Sequence, residues 1–131
     1  MNYLLDTDTC VYALRGRASV REHLTQTGPT EIAISIVTLA ELRYGAACSL
    51  RPDDNHRAID DFAQGISLLG IDPATTRAFG DIKAGLRAKG ELLEDFDLLI
   101  AATASSLNLT LVTNNLDHFQ RISGLRLENW A

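Results

Sequence analysis

The chain reads as a single α/β domain, with a central parallel sheet of about four or five strands flanked by helices. Three observations carry that expectation. Short unbroken apolar runs, such as Tyr3-Leu4-Leu5 and Ile32-Ala33-Ile34-Ser35-Ile36-Val37, recur where a sheet with one wet face would alternate apolar and polar residues. Most of these runs are followed by a capping residue or a proline and then by apolar residues at helical spacing. The length of 131 residues, 46% hydrophobic and 22% charged, suits one domain that buries its core without disulfides or structural metal, and excludes disorder, collagen-like repeats and coiled-coil rods.

Tyr3-Leu4-Leu5 is the first strand, ending at Asp6, and Val11, Tyr12 and Leu14 mark a helix that Gly16 stops. A second helix spans Val20 to Gln26 and is closed by Gly28-Pro29. Ile32 to Val37 is β-branched enough for a buried strand. Ser35 or Thr38 caps the next helix, which places Leu39, Leu42 and Ala46 on one side. Pro52 with Asp53-Asp54-Asn55 reads as a loop, and Ala58, Ile59, Phe62 and Ala63 return to helical spacing. Ile66 to Ile71 is the third strand, and Pro73 opens a long helix through Phe79, Ile82 and Leu86 that Gly90 ends. The uniformly apolar helix from Asp97 to Leu107 is expected to lie buried against the sheet. Leu109 to Thr113 is a strand, Asn114-Asn115 a turn, Leu116 to Phe119 a helical turn, and Leu125-Arg126-Leu127 an edge strand.

Seventeen acidic and twelve basic residues leave a net charge of -5. This argues against a generic polyanion binder, whose affinity would come from Lys and Arg. It leaves room for acids that hold a metal which then meets phosphate. The uncharged stretch from Leu98 to Leu116 is broken by Thr, Ser and Asn and is no membrane span. The N-terminus has no basic region before its short apolar run, so no signal peptide is read and a cytoplasmic protein is expected. Cys10 and Cys48 stand alone and are expected to be buried or half-buried thiols in a reducing compartment.

In an open parallel sheet, ligands gather at the carboxyl ends of the strands, and that ranks the acids. Asp6 follows the first strand and Asp8 comes two residues later. A carboxylate at an apolar strand end needs a cation, backbone N–H groups or a capping role. Glu41 lies in the first turns of the helix after the second strand, where the helix dipole alone would favour an acid. Asp97 opens the most apolar helix, and Glu91, Glu94 and Asp95 crowd its approach. Two carboxylates about 4 Å apart repel by roughly 4 kcal/mol at an effective dielectric of 20, so such a cluster needs protonation or a cation. Oxygen donors alone select a hard ion, Mg²⁺ or Mn²⁺. Thr113, Asn114, Asn115 and Asp117 follow the fourth strand, where Asn-Asn also suits a turn.

Leu4-Leu5-Asp6-Thr7, Ser35 to Leu42 with Tyr44-Gly45, Phe96-Asp97-Leu98-Leu99-Ile100-Ala101-Ala102, Leu111-Val112-Thr113-Asn114-Asn115 with Phe119, and Gly124-Leu125 to Trp130 resemble, in that order, the PIN-domain ribonucleases. The nearest likeness is to the VapC-like toxins of bacterial toxin-antitoxin modules. The resemblance runs nearly end to end and implies one PIN-like domain over residues 1–131. It implies that Asp6 and Asp97 hold Mg²⁺, with Mn²⁺ a substitute, and that Glu41 is the third acid of the site. The family's fourth acidic position is Asn115 here, although some toxins of this group also carry Thr-Asn-Asn. Asp8 stands where Asn is common, and Asp117 is out of register. Asp8 and Asn115 are therefore expected to reach the ion through water, beside Thr113.

The reaction implied is metal-assisted hydrolysis of an RNA phosphodiester, with Glu41 orienting the attacking water or binding a second ion. The substrate class is structured RNA, with tRNA cut in the anticodon loop, initiator tRNA above all. The resemblance also implies a VapB-like antitoxin that occludes the site, and a toxin homodimer. His23, His56 and His118 lack metal-ligand spacing and read as surface or turn residues, His118 alone lying near the site. Two basic groups, Lys83-Arg87-Lys89 and Arg15-Arg17-Arg21, are candidates for phosphate contact. Asp6-Thr7-Asp8 also suits a haloacid-dehalogenase-like phosphatase or a phospho-accepting receiver module. Both place a Lys after the position of Thr113, and none follows it here.

Overall fold

The computed structural model describes residues 1–131. Strands β1 (Tyr3–Leu5), β2 (Ile32–Ser35), β3 (Ser67–Leu69), β4 (Thr110–Val112) and β5 (Leu127–Glu128) form one five-stranded sheet in the order β3-β2-β1-β4-β5. Every ladder is parallel. The helices are α1 (Thr7–Leu14), α2 (Ala18–Thr27), α3 (Ile36–Ala47), α4 (Pro52–Ala63), α5 (Pro73–Lys89), α6 (Asp95–Ser106) and α7 (Leu116–Phe119), with a 3-10 turn at Pro29–Glu31 before β2.

β1 is the central strand, with Leu5 opposite Ile34 of β2 on one side and Val112 of β4 on the other. The chain builds outward from β1 to β2 and β3, then returns to lay β4 and β5 on the opposite flank. Strand order therefore reverses between β1 and β4, and the crevice at their carboxyl ends is where such a sheet receives ligands.

The strand side chains alternate between two cores. Leu4, Ala33 and Leu111 face a layer of α5 and α6 that buries Leu86, Leu98, Ala101 and Ala104. Leu5, Ile34 and Val112 face the opposite layer with Cys10, Val20, Leu42, Ile59 and Trp130. Both faces of the sheet are covered, so the central strands are mostly apolar, with Ser35 and Thr110 the polar exceptions at their ends, and each fully buried leucine stabilises the fold by roughly 1.5–3 kcal/mol. Gly90 closes α5 in the left-handed conformation at φ 69°, which is the place where a glycine is needed.

The observed elements correct several expectations. The strand after Ile32 stops at Ser35, because the Ser35 hydroxyl accepts a hydrogen bond from Val37 N at 3.1 Å and starts α3 there. Asp53-Asp54-Asn55 is not a loop but the first turn of α4, with Pro52 at the opening helical positions, where the missing proline N–H costs nothing and acids favour the dipole. α2 begins two residues earlier than expected, at Ala18, and ends one later, at Thr27. β3 keeps only Ser67–Leu69 of the expected run, and β5 is shifted to Leu127–Glu128 at the edge. Cys10 is buried as expected, but Cys48, at the end of α3, is exposed. α6 begins at Asp95 with Glu94 as its cap, so Asp97 stands inside the first turn rather than at the opening residue. No helix is long and apolar enough to cross a membrane.

Candidate active site

The first acid is positioned by the strand it follows. Asp6 N donates to Val112 O at 3.0 Å, which extends the β1–β4 ladder by one residue and turns the side chain into the crevice. Asp6 Oδ1 then accepts from Thr9 N at 2.8 Å, capping α1. The carboxylate is 5% exposed. Burial pushes its pKa up, contact with Thr113 and with the Thr9 amide and hydroxyl pulls it back, and the charge of Asp8 raises it further. Capping and buried placement therefore coexist in one side chain, the two readings its sequence position allowed.

Thr113 continues β4 and is itself buried, with its N–H donating to Glu128 O of β5 at 2.9 Å. Its hydroxyl accepts from Asn115 N at 2.9 Å, which folds the turn before α7. Asn114 is exposed and its amide donates toward the Tyr12 hydroxyl at 3.4 Å. Asp117 is exposed.

Glu41 arrives from α3, almost two turns after the Ser35 cap. Its Oε1 accepts from the Thr7 hydroxyl at 2.7 Å, and that hydroxyl lies 3.3 Å from the hydroxyl of the buried Thr38. The residue after the first acid thus fixes the third acid across the gap between α1 and α3.

Asp97 comes from the first turn of α6 and is partly buried. Its pKa is pushed up to about 6, first by burial and then by the negative charges of Glu41, Asp6, Glu94 and Asp8. The electrostatic partners of Asp97 are therefore the acids of α1 and α3 together with Glu94. Asp95 is drawn off by Lys83 Nζ at 2.7 Å, and the leading charges on Asp97 are Glu41 and Asp6 ahead of Glu94, so the crowd of four acids expected before the helix is replaced by one assembled from distant segments.

No Lys or Arg forms an ion pair with Asp6, Asp8, Glu41 or Asp97. Nor do any three Asp, Glu, His or Cys side chains converge tightly enough to grip an ion unaided. The donor chemistry, rather than a preformed cage, is what fits a hard divalent cation. The donors are all oxygens, the negative charge is uncompensated, and Mg²⁺ takes one or two carboxylates and keeps several waters rather than filling an all-protein cage.

Two depressions adjoin these acids. One is lined by Thr7 and Glu41 and walled by Val11, Leu14, Leu42 and Ile59. The other is lined by Asp97, Glu94, Asn115, His118 and Arg121. Of the basic residues singled out in the sequence, Arg15 lines the first, Lys83 is tied to Asp95, Arg17 stacks over the Tyr12 ring at 3.9 Å, and Arg87 and Lys89 are exposed on α5. Arg121 is not among them. Its signal was the pair Phe119 and Ile122, whose burial at a spacing of three leaves residues 118 and 121 facing outward.

Residues 3–125 match the PIN domain family. The chain is 38% identical over its whole length to a ribonuclease VapC2 of Haemophilus influenzae, covering 99% of that protein. It is 39% identical, again over its whole length and 99% of the relative, to a tRNA(fMet)-specific endonuclease VapC of Shigella flexneri. Among solved structures, it superposes on a chain of the DNA-bound VapBC complex of Salmonella typhimurium with a TM-score of 0.95, at 36% identity, covering all of this chain and 99% of that one. A chain of the DNA-bound VapBC2 complex of Rickettsia felis gives a TM-score of 0.93 at 37% identity, with full coverage of both.

Proposed function

The chain belongs to the PIN-domain family and, within it, to the VapC ribonucleases, and on that premise we propose that it cuts tRNA with Mg²⁺ held by Asp6 and Asp97. What supports the site assignment is the placement of Asp6, capping α1 through Thr9 N, and of Glu41, bonded to Thr7 of that helix, beside the carboxyl end of β1; the pKa of Asp97 is raised first by burial and then by the charges of these two acids. Three acids far apart along the chain stand near the strand-order reversal, with no cation of the protein's own paired to them.

A divalent ion bound there supplies Lewis-acid assistance to phosphodiester hydrolysis. The protein's part is to prepare the place. Asp6 is held rigid by Thr9 N, so its free oxygen is presented without a rotamer search. Glu41, fixed by Thr7, orients the attacking water and takes its proton. Asp97 completes the anionic wall. Asp8, exposed in the first turn of α1, and Asn115 would act on a bound ion through water, and Thr113 steadies Asp6. Manganese, with the same preference for oxygen donors, replaces magnesium.

The relatives named for initiator tRNA and those crystallised as VapBC complexes support initiator tRNA as substrate and a VapB-like antitoxin as partner. A homodimer acting in the cytoplasm completes the reading. Incubation of the purified chain with total RNA in Mg²⁺ and in EDTA, with cleavage ends mapped, tests it. Discrete cuts in the anticodon loop of initiator tRNA, lost with chelator and in Asp97→Asn, are expected. Intact RNA beside turnover of p-nitrophenyl phosphate would assign the site to phosphatase chemistry instead.

A further inference from the structure

A protein of net charge -5 that cuts RNA needs local positive charge beside its acids, and five of its twelve cations are engaged with carboxylates. Lys83, Arg43, Arg51, Arg57 and Arg77 are paired with carboxylates. Arg121 is not. Its hydrogen bond is a long one, from Nη1 to Leu92 O at 3.5 Å, and the rest of its guanidinium fork is uncommitted in the cleft of about 330 Å³ that Asp97 lines.

The local fold explains why Arg121 stands there. After Asn115 the chain makes the short helix α7 and one further turn, in which Arg121 N donates to His118 O at 3.3 Å. Phe119 and Ile122 are 1% and 6% exposed and belong to the core under α6. They anchor the turn from below, so His118 and Arg121 project together into the cleft. The other depression beside the acids has mostly apolar walls and suits a phosphodiester strand poorly. The cleft with Asn115, His118 and Arg121 offers an amide, an imidazole and a guanidinium, the groups that bind phosphate and sugar oxygens.

We propose that Arg121, with His118 beside it, grips a backbone phosphate of the RNA next to the bond being cut, so that the strand passes out of the acidic site along the Asn115 cleft. The inference rests on the ribonuclease reading and adds the direction in which the substrate lies. The guanidinium acts on a phosphate that does not react, so it contributes to binding and register rather than to the chemical step.

The test uses a transcript of initiator tRNA. Cleavage by the wild-type chain in Mg²⁺ is established first, because intact RNA at that stage refutes the ribonuclease reading before any arginine variant is made. Binding is then followed by fluorescence anisotropy in the Asp97→Asn background across a salt series, with and without Arg121→Gln. The glutamine variant is expected to weaken binding about tenfold, as for one hydrogen-bonded charge, and to lower the slope of log affinity against log salt by about 0.7, the signature of one lost single-strand phosphate contact. In the active background KM rises while kcat holds. Arg121→Lys restores the salt slope but only part of the affinity, since it keeps the charge and loses the fork. Unchanged affinity and slope in Arg121→Gln would overturn the proposal. So would weakened binding with the slope intact and a lowered melting temperature, which would make Arg121 a structural tie to Leu92 only.

Discussion

Replacing Asp97 by Asn is expected to make the metal-free protein more stable while abolishing its activity. The carboxyl is raised from an ordinary 3.8 to about 6 by burial and by its acidic neighbours. Each pKa unit corresponds to about 1.36 kcal/mol, so ionising Asp97 in the fold sets a ceiling of roughly 3 kcal/mol. Because the group is only partly buried, screening brings the expected value to about 1–2 kcal/mol. The sign follows from proton uptake. Between about pH 4 and pH 6 the folded state holds a proton that the unfolded state has released, so stability falls as pH rises through that window and stays at its lower level above it. Asparagine has nothing to ionise. Thermal unfolding in EDTA near pH 7 is expected to show Asp97→Asn melting about 4–7 °C above wild type, with the gap closing as the pH approaches 4. Magnesium should then raise the wild-type transition, by about 2.7 kcal/mol at a hundredfold excess over Kd, and leave the variant nearly unmoved. A variant less stable than wild type in EDTA, or a gap that ignores pH, would refute the claim that Asp97 sits against uncompensated negative charge.

The remaining predictions concern the supports of the site. Thr7→Val removes the hydroxyl bonded to Glu41 and is expected to slow RNA cleavage about tenfold, one hydrogen bond's worth, with little change in melting temperature. Magnesium affinity, read by isothermal titration, should fall as pH drops below about 6, because a protonated Asp97 competes with the ion. Leu111→Ala empties a fully buried position of β4 and should cost about 3 kcal/mol in urea unfolding. A loss under about 1 kcal/mol there would mean that the two faces of the sheet repack freely.

Much of this architecture is legible in the sequence because buried parallel strands leave apolar runs, and because a helix start leaves a capping residue. Asp6 and Asp97 stand out for that reason, each being the polar residue where an apolar run begins or ends. Local signals mislead where they are ambiguous. Pro52 with three polar residues describes a loop and a helix N-terminus equally well, and only the apolar spacing of Ala58, Ile59 and Phe62 carried far enough back would have favoured the helix. The Thr7–Glu41 bond and the diversion of Asp95 to Lys83 join residues far apart along the chain. No periodicity encodes them. They exist because α3 is delivered beside α1, and α5 beside α6, by the order of the strands. Arg121 does not stand out in the sequence because it sits alone rather than in a basic cluster, and its placement is set by Phe119 and Ile122 rather than by charge.

The position of β1 carries a consequence for synthesis. A ribosome makes Asp6 at the outset, but the strand before it has neighbours on both flanks, and one of them, β4, comes after residue 109. Asp6 N reaches Val112 O only when most of the polypeptide has been translated, and such distant pairings form late. The pocket at the end of β1 is therefore complete only once the segment carrying β4 has folded back beside it, and a chain cut short of that segment lacks one wall of the site.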